Sequence, residues 1–117
     1  MDLRVKRLYA SKSPSDGTRI LVDRLWPRGF AKGSDAFDLW LRDLAPSDGL
    51  RTWFGHEPAR WEEFKRRYFE ELATRSVPVQ TVIEHAKRGT VTLVYSSRDE
   101  VHNQAVALRE FILNAGA

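Results

Sequence analysis

The chain has 117 residues, 42% hydrophobic and 30% charged, with a formal net charge of +3. That length fits one domain, and a chain of this size buries roughly 65% of its unfolded surface, enough for a core without covalent staples. The lack of cysteine excludes disulfides, thiolate metal sites and a cysteine nucleophile and fits a cytoplasmic protein, while no apolar run approaches the ~18 residues of a membrane span.

Leu3 to Tyr9 alternates apolar and basic residues and reads as a strand near a sheet edge, with no apolar leader before it. Ser11 to Gly17 is a turn by composition, punctuated by Pro14 and Asp16-Gly17. Arg19 to Asp23, with β-branched Ile20 and Val22, is a second short strand. The two strands either pair as an antiparallel hairpin or lie apart in a mixed sheet. Phe30 to Asp35 is a loop. Phe37 to Leu44 satisfies both strand alternation and helical spacing, and we favour a strand because Pro46-Ser47 then opens a helix. Ser47 is its N-cap, Leu50, Trp53 and Phe54 its apolar face, and Gly55 its end.

The next helix has Glu57 as cap, Pro58 in its first turn, and Trp61, Phe64, Tyr68 and Leu72 along one face. Glu62 to Arg66 and Glu63 to Arg67 are spaced as i,i+4 ion pairs. Ser76-Val77-Pro78 reads as a break before a helix from Val79 to Arg88, which stops at Gly89. Thr90 to Tyr95 is the most apolar strand and therefore central. Ser97 and Glu100 have capping-box spacing, predicting a last helix from there to about Leu113 with Val101, Ala105, Leu108, Phe111 and Ile112 inward. The sum is one α/β domain over 1–117: a small open, mostly parallel sheet of about four strands covered by helices in two or three layers.

Two loops stand out. Asp23-Arg24-Leu25-Trp26-Pro27-Arg28-Gly29 follows the apolar run Ile20-Leu21-Val22, and Ser96 to Asn103 follows the strand ending at Tyr95. Rigid, arginine-rich loops at strand ends are where α/β proteins place ligand sites. If the two strands are parallel neighbours, Asp23, Arg24 and Arg28 face Arg98, Asp99 and His102 across a crevice, with Trp26 as a wall. Backbone amides near Ser97, Arg98 and Asp99, read as the start of the last helix, would add a positive dipole end. His102 is then the general acid or base, oriented by Asp99 or Asp23, and Arg24, Arg28 and Arg98 bind the anion with Trp26, Ser97 and Asn103 beside them. The structural alternative is an ion-pair network, with Asp23 and Asp99 each on an arginine and Trp26 in the core. The 14 arginines against 5 lysines suit anion recognition, and equally a GC-rich genome.

Asp43, Pro46, Ser47 and His56 form a third group, in which His56 reads as a capping or exposed residue. No histidine pair has metal-motif spacing, and no dinucleotide fingerprint, phosphate-loop lysine or serine elbow is present, so neither metal nor cofactor is expected.

The stretches LVDRLWPRG (Leu21 to Gly29), DLWLRDLAPS (Asp38 to Ser47), WFGHEPARWEEF (Trp53 to Phe64) and VTLVYSSRDEVHNQA (Val91 to Ala105) resemble the YeaO-like branch of a bacterial family of unknown function. The resemblance runs from about Leu3 to Leu113. It implies a compact cytoplasmic α/β domain with no assigned reaction, and it makes both loops and His56 motif positions. Related branches carry a cysteine near the end of the last strand where this chain has Tyr95, which argues against a thiol mechanism. The expectation is a pocket for a small anionic ligand, a phosphate ester or nucleotide; the alternative is a non-catalytic module that recognises nucleic acid or an acidic partner, which predicts steep salt dependence.

Overall fold

A computed structural model describes residues 1–115. Four short parallel strands form one sheet: β1 (Leu3–Arg7), β2 (Thr18–Leu21), β3 (Leu39–Trp40) and β4 (Val91–Tyr95), in the order β1-β4-β2-β3. The apolar β4 is central, as its composition predicts: every residue is buried, and it pairs with β1 from Leu3↔Val91 to Arg7↔Tyr95 and with β2 from Thr18↔Val91 to Leu21↔Val94. β1 is an edge strand. The hairpin reading is overturned, because β4 lies between β1 and β2. The intervening loop is fastened to β4 instead. Gly17, at φ +64°, sits so close that a Cβ there would meet the Thr90 carbonyl oxygen at 2.1 Å, and Thr92 Oγ1 donates to the Asp16 carbonyl at 2.7 Å.

The helices are α1 (Asp48–Phe54), α2 (Trp61–Ala73), α3 (Ser76–Arg88) and α4 (Gln104–Ala115). Their buried residues share one core with Leu3, Ile20, Val22, Val91, Leu93 and Tyr95, so all four cover the same face of the sheet. On the opposite face Leu8, Leu21 and Val94 pack under Phe30 and Phe37 from the β2–β3 connection and Trp40 of β3. The result is two layers, helices and sheet, with a loop blanket behind, 21 Å thin along its shortest axis.

Several local expectations change. Phe37 to Leu44 yields only the two-residue β3 and a 3-10 turn over Arg42–Leu44. Ser47 does cap α1, its Oγ accepting from Leu50 N–H at 3.3 Å, and Gly55 ends it in the left-handed region. Glu57 provides no side-chain cap, and a 3-10 turn over Pro58–Arg60 precedes α2. Glu63 pairs with Arg67 at 2.7 Å, but Arg66 prefers Glu63 and Glu70, leaving Glu62 to Lys65. Ser76-Val77-Pro78 is the first turn of α3, where a proline lacking N–H is tolerated. The largest change is at α4, which starts at Gln104; Ser97 is no N-cap and exposed Val101 does not face inward. Asp99 Oδ1 captures the N–H groups of Val101 and His102, both at 2.9 Å, and this local bonding competes with helix. Asn103 caps instead, its Oδ1 accepting from Val106 N–H at 3.0 Å.

Candidate functional site

Parallel strands send the loops after β1, β2 and β4 out of one edge of the sheet. There they enclose, with the end of α1, a cavity of about 1160 Å³. The condition set by the sequence is met: β2 and β4 are parallel neighbours, and both loops line this cavity. Asp23, Arg24, Trp26 and Arg28 reach it from one loop, and Ser97, Arg98, Asp99, His102 and Asn103 from the other. Pro46 and His56 also line it, whereas Asp43 and Ser47 do not.

Asp23 joins the two loops. Its carboxylate accepts from Ser96 N–H at 3.1 Å, from Ser96 Oγ at 2.5 Å and from Gln104 Nε2 at 2.5 Å. Burial pushes its pKa above the ordinary carboxylate value, against the lowering effect of these bonds. Its hydrogen-bond partners include neither an arginine nor His102. The Asp23 backbone carbonyl meanwhile accepts from Trp40 Nε1 at 2.7 Å.

Asp99 is the carboxylate that orients the histidine. Its Oδ2 lies 3.0 Å from His102 Nδ1, while Oδ1 holds the backbone of Val101 and His102. The backbone N–H of His102 and then that of Val101 lower its pKa most, with a smaller contribution from the imidazole. The imidazole meets the Trp61 ring edge-to-face at 5.4 Å, so it is held from two sides. His102 sits before α4, and the helix-end dipole expected behind Ser97 to Asp99 is not there. Asn103 is 2% exposed, and both its side-chain polar atoms are engaged within the loop and the cap. The alternative ion-pair network, with each aspartate on an arginine, is not formed, since Asp99 pairs with a histidine and Asp23 with neutral donors.

The arginines are differently placed. Arg24 Nη2 donates to the Pro46 carbonyl at 3.4 Å and Nε lies 3.6 Å from Asp48 Oδ1, beyond hydrogen-bond reach; this buried Nε–H has no hydrogen-bond partner among the described residues. Arg28 and Arg98 are exposed and make no ion pair among the described residues. Trp26 is not a core residue: it is 39% exposed, packs edge-to-face on Phe37 and Trp40, and donates from Nε1 to the Phe30 carbonyl at 2.8 Å.

Sequence reasoning missed Arg7, Tyr9, Arg51 and Gln104, all of which line the cavity. Arg7 ends β1, level with Tyr95, and its Nε donates to the Ser97 carbonyl at 3.1 Å. Tyr9 donates from its hydroxyl to the Arg28 carbonyl at 2.8 Å, fixing the tip of the first loop. The alternation of β1 marked Arg7 as a strand end, but only the parallel pairing with β4 brings it to the site. His56 has φ +58°, a conformation unusual outside glycine, in the turn after α1. No three metal-ligating residues cluster among the described residues, and no described helix is long and apolar enough to cross a membrane.

Residues 2–117 match a family model described as the inactive DUF488-N3 subclade. The chain is 38% identical over 110 residues to the uncharacterized protein Rv3073c of Mycobacterium tuberculosis strain H37Rv, covering 94% of this chain and 92% of that one. It is also 38% identical over 112 residues to the uncharacterized protein YeaO of Escherichia coli K12, covering 96% and 97% respectively. No solved structure matches it.

Proposed function

This chain belongs to the DUF488 family, in its YeaO-like inactive N3 subclade, and from that premise we propose that it is a single domain whose sheet-edge cleft binds a small organic anion of the phosphate-ester class. The observation that carries this reading is the charge of the lining. The lining sets Arg7, Arg24, Arg28, Arg51 and Arg98 against two carboxylates, Asp23 and Asp99, both already engaged within the loops, while Asp48 outside the lining pairs with Arg24 and Arg51. Among the described residues Arg7, Arg28 and Arg98 have no ion-pair partner, and the buried Arg24 Nε–H, 3.6 Å from Asp48 Oδ1, has no hydrogen-bond acceptor. A buried donor without an acceptor costs about 1–3 kcal/mol, which an anion at that position would recover. Arg24, Arg28, Arg98 and His102 contact the ligand, while Asp23, Ser97 and Asn103 hold the two loops.

Binding without turnover fits the subclade's description and the engagement of Asp23. The Asp99–His102 pair supports a second reading, in which His102 acts as general acid or base on the bound ester. One experiment addresses both. Thermal unfolding is followed with phosphate, pyrophosphate and ribose 5-phosphate, on wild type, Arg24→Ala and His102→Ala. A ligand at 100 times its Kd adds about 2.7 kcal/mol of stability. We expect that gain in wild type and its loss in Arg24→Ala; no gain with any of the three anions refutes the binding reading. Release of phosphate by wild type but not by His102→Ala would establish the catalytic reading.

A further inference from the structure

We infer that the anion of this cleft carries an aromatic base: its ligand is a nucleotide, with the phosphate toward Arg24 and the base against Leu25 and Trp26. This rests on the anion reading above and narrows it. Apolar side chains exposed on a surface are unremarkable singly, but here they converge. Of the six large hydrophobic residues left exposed among the described residues, Tyr9, Leu25 and Trp26 all line this one cavity. Met1, Val77 and Val101 do not line it.

The three differ in what they offer a ligand. The Arg7 guanidinium lies 4.9 Å from the Tyr9 ring centroid, Phe30 packs against it at 5.4 Å, and its hydroxyl is bound to Arg28. Tyr9 therefore braces the rim. Leu25 is 65% exposed and Trp26 39%, and no polar atom of Trp26 remains unpaired, since Nε1 already donates to Phe30. What is left there is apolar surface beside the arginines of the same cleft. An inorganic or sugar phosphate would leave that surface wet, whereas a flat heterocycle covers it and keeps its polar edges toward solvent. Stacking of a base on an aromatic side chain is sequence-tolerant and strengthens binding roughly tenfold or more.

The test measures affinity by calorimetry for ribose 5-phosphate, for the four nucleoside 5′-monophosphates, and for a short single-stranded tetranucleotide. Wild type should bind at least one monophosphate about tenfold or more tighter than ribose 5-phosphate. Trp26→Leu should close that gap by weakening the monophosphates more than ribose 5-phosphate, and Leu25→Ser, at a largely solvated position, should narrow it even if Trp26→Leu folds poorly. A tetranucleotide tighter than the monophosphates assigns the base and phosphate to a strand; a weaker one assigns them to a free nucleotide. Ribose 5-phosphate binding as tightly as all four monophosphates overturns the nucleotide inference while leaving the anion reading standing. Failure of ribose 5-phosphate and every nucleotide to bind removes both.

Discussion

Replacing Asp23 separates hydrogen bonding from charge at the junction of the two loops. Alanine removes the acceptor of three donors, and the Ser96 N–H has nowhere else to turn. One buried unsatisfied donor costs about 1–3 kcal/mol, and the small void adds to it, so we expect Asp23→Ala to lose about 2–3 kcal/mol. At roughly 4 °C per kcal/mol for a domain this size, Tm falls by about 10 °C. Asparagine keeps the shape and one acceptor, and Gln104 can turn its amide to meet the new N–H group. Because burial raises the pKa of Asp23, the folded state disfavours its charge. Asp23→Asn should therefore match or exceed wild type at pH 7. The folded state holds the proton more tightly than the unfolded chain, so wild-type stability falls as pH rises through the folded pKa. The wild type should gain on Asp23→Asn as the medium is acidified through that range. Urea unfolding from pH 4 to 8 measures all three proteins. An alanine variant as stable as wild type, or an asparagine variant as damaged as alanine, would refute the account.

The remaining predictions concern the supports of the site. Gly17→Ala places a methyl group against the Thr90 carbonyl at positive φ and should cost about 3 kcal/mol or more, read as a lower midpoint in urea; a loss under 1 kcal/mol would mean that the β1–β2 loop is free to move. Asp99→Asn should remove about 1 kcal/mol near neutral pH. Its pKa is depressed in the fold, so this stabilisation is present above the unfolded carboxylate value and disappears as pH falls through the folded one; a pH-independent difference would contradict the assignment. Tyr68→Phe leaves the buried Leu44 carbonyl without its donor and should cost about 1–2 kcal/mol with no change in ligand affinity. Affinity lost together with stability there would place the helical core in the binding site.

Where residues announce their own bonding, the sequence was readable. The unbroken apolar run of β4 marked it as central, the 3-and-4 spacing of Trp61, Phe64, Tyr68 and Leu72 gave α2, and Ser47 and Gly55 bounded α1. Both site loops were visible because charged, aromatic and proline residues crowd after strand ends. The start of α4 was not visible. Ser97 and Glu100 satisfy a capping pattern, yet Asp99 is better placed to take the same amides, and competition between adjacent side chains for one N–H is not encoded by spacing. The strand favoured over Phe37 to Leu44 exists, but its two-residue extent was not visible, because only pairing with β2 separates Leu39–Trp40 from the 3-10 turn that follows. Arg7 and Tyr9 were missed for a related reason. Their nearness to Ser97 and Arg28 depends on strand order, which no local pattern carries.

Strand order also governs when the cleft comes into being. β1 and β2 share no ladder; they are joined through β4, whose residues are the last of the sheet to be made. Asp23 likewise finds its partners, Ser96 and Gln104, only after that strand has been threaded between the other two. The contacts that join the cleft's two halves, Arg7 to Ser97 and Asp23 to Ser96 and Gln104, thus span most of the chain, and such non-local pairing folds slowly. A chain lacking its C-terminal quarter has both arginines of the first loop and nothing to set them against. Ligand binding would therefore report completed folding, and a nascent or clipped copy would not compete for the ligand.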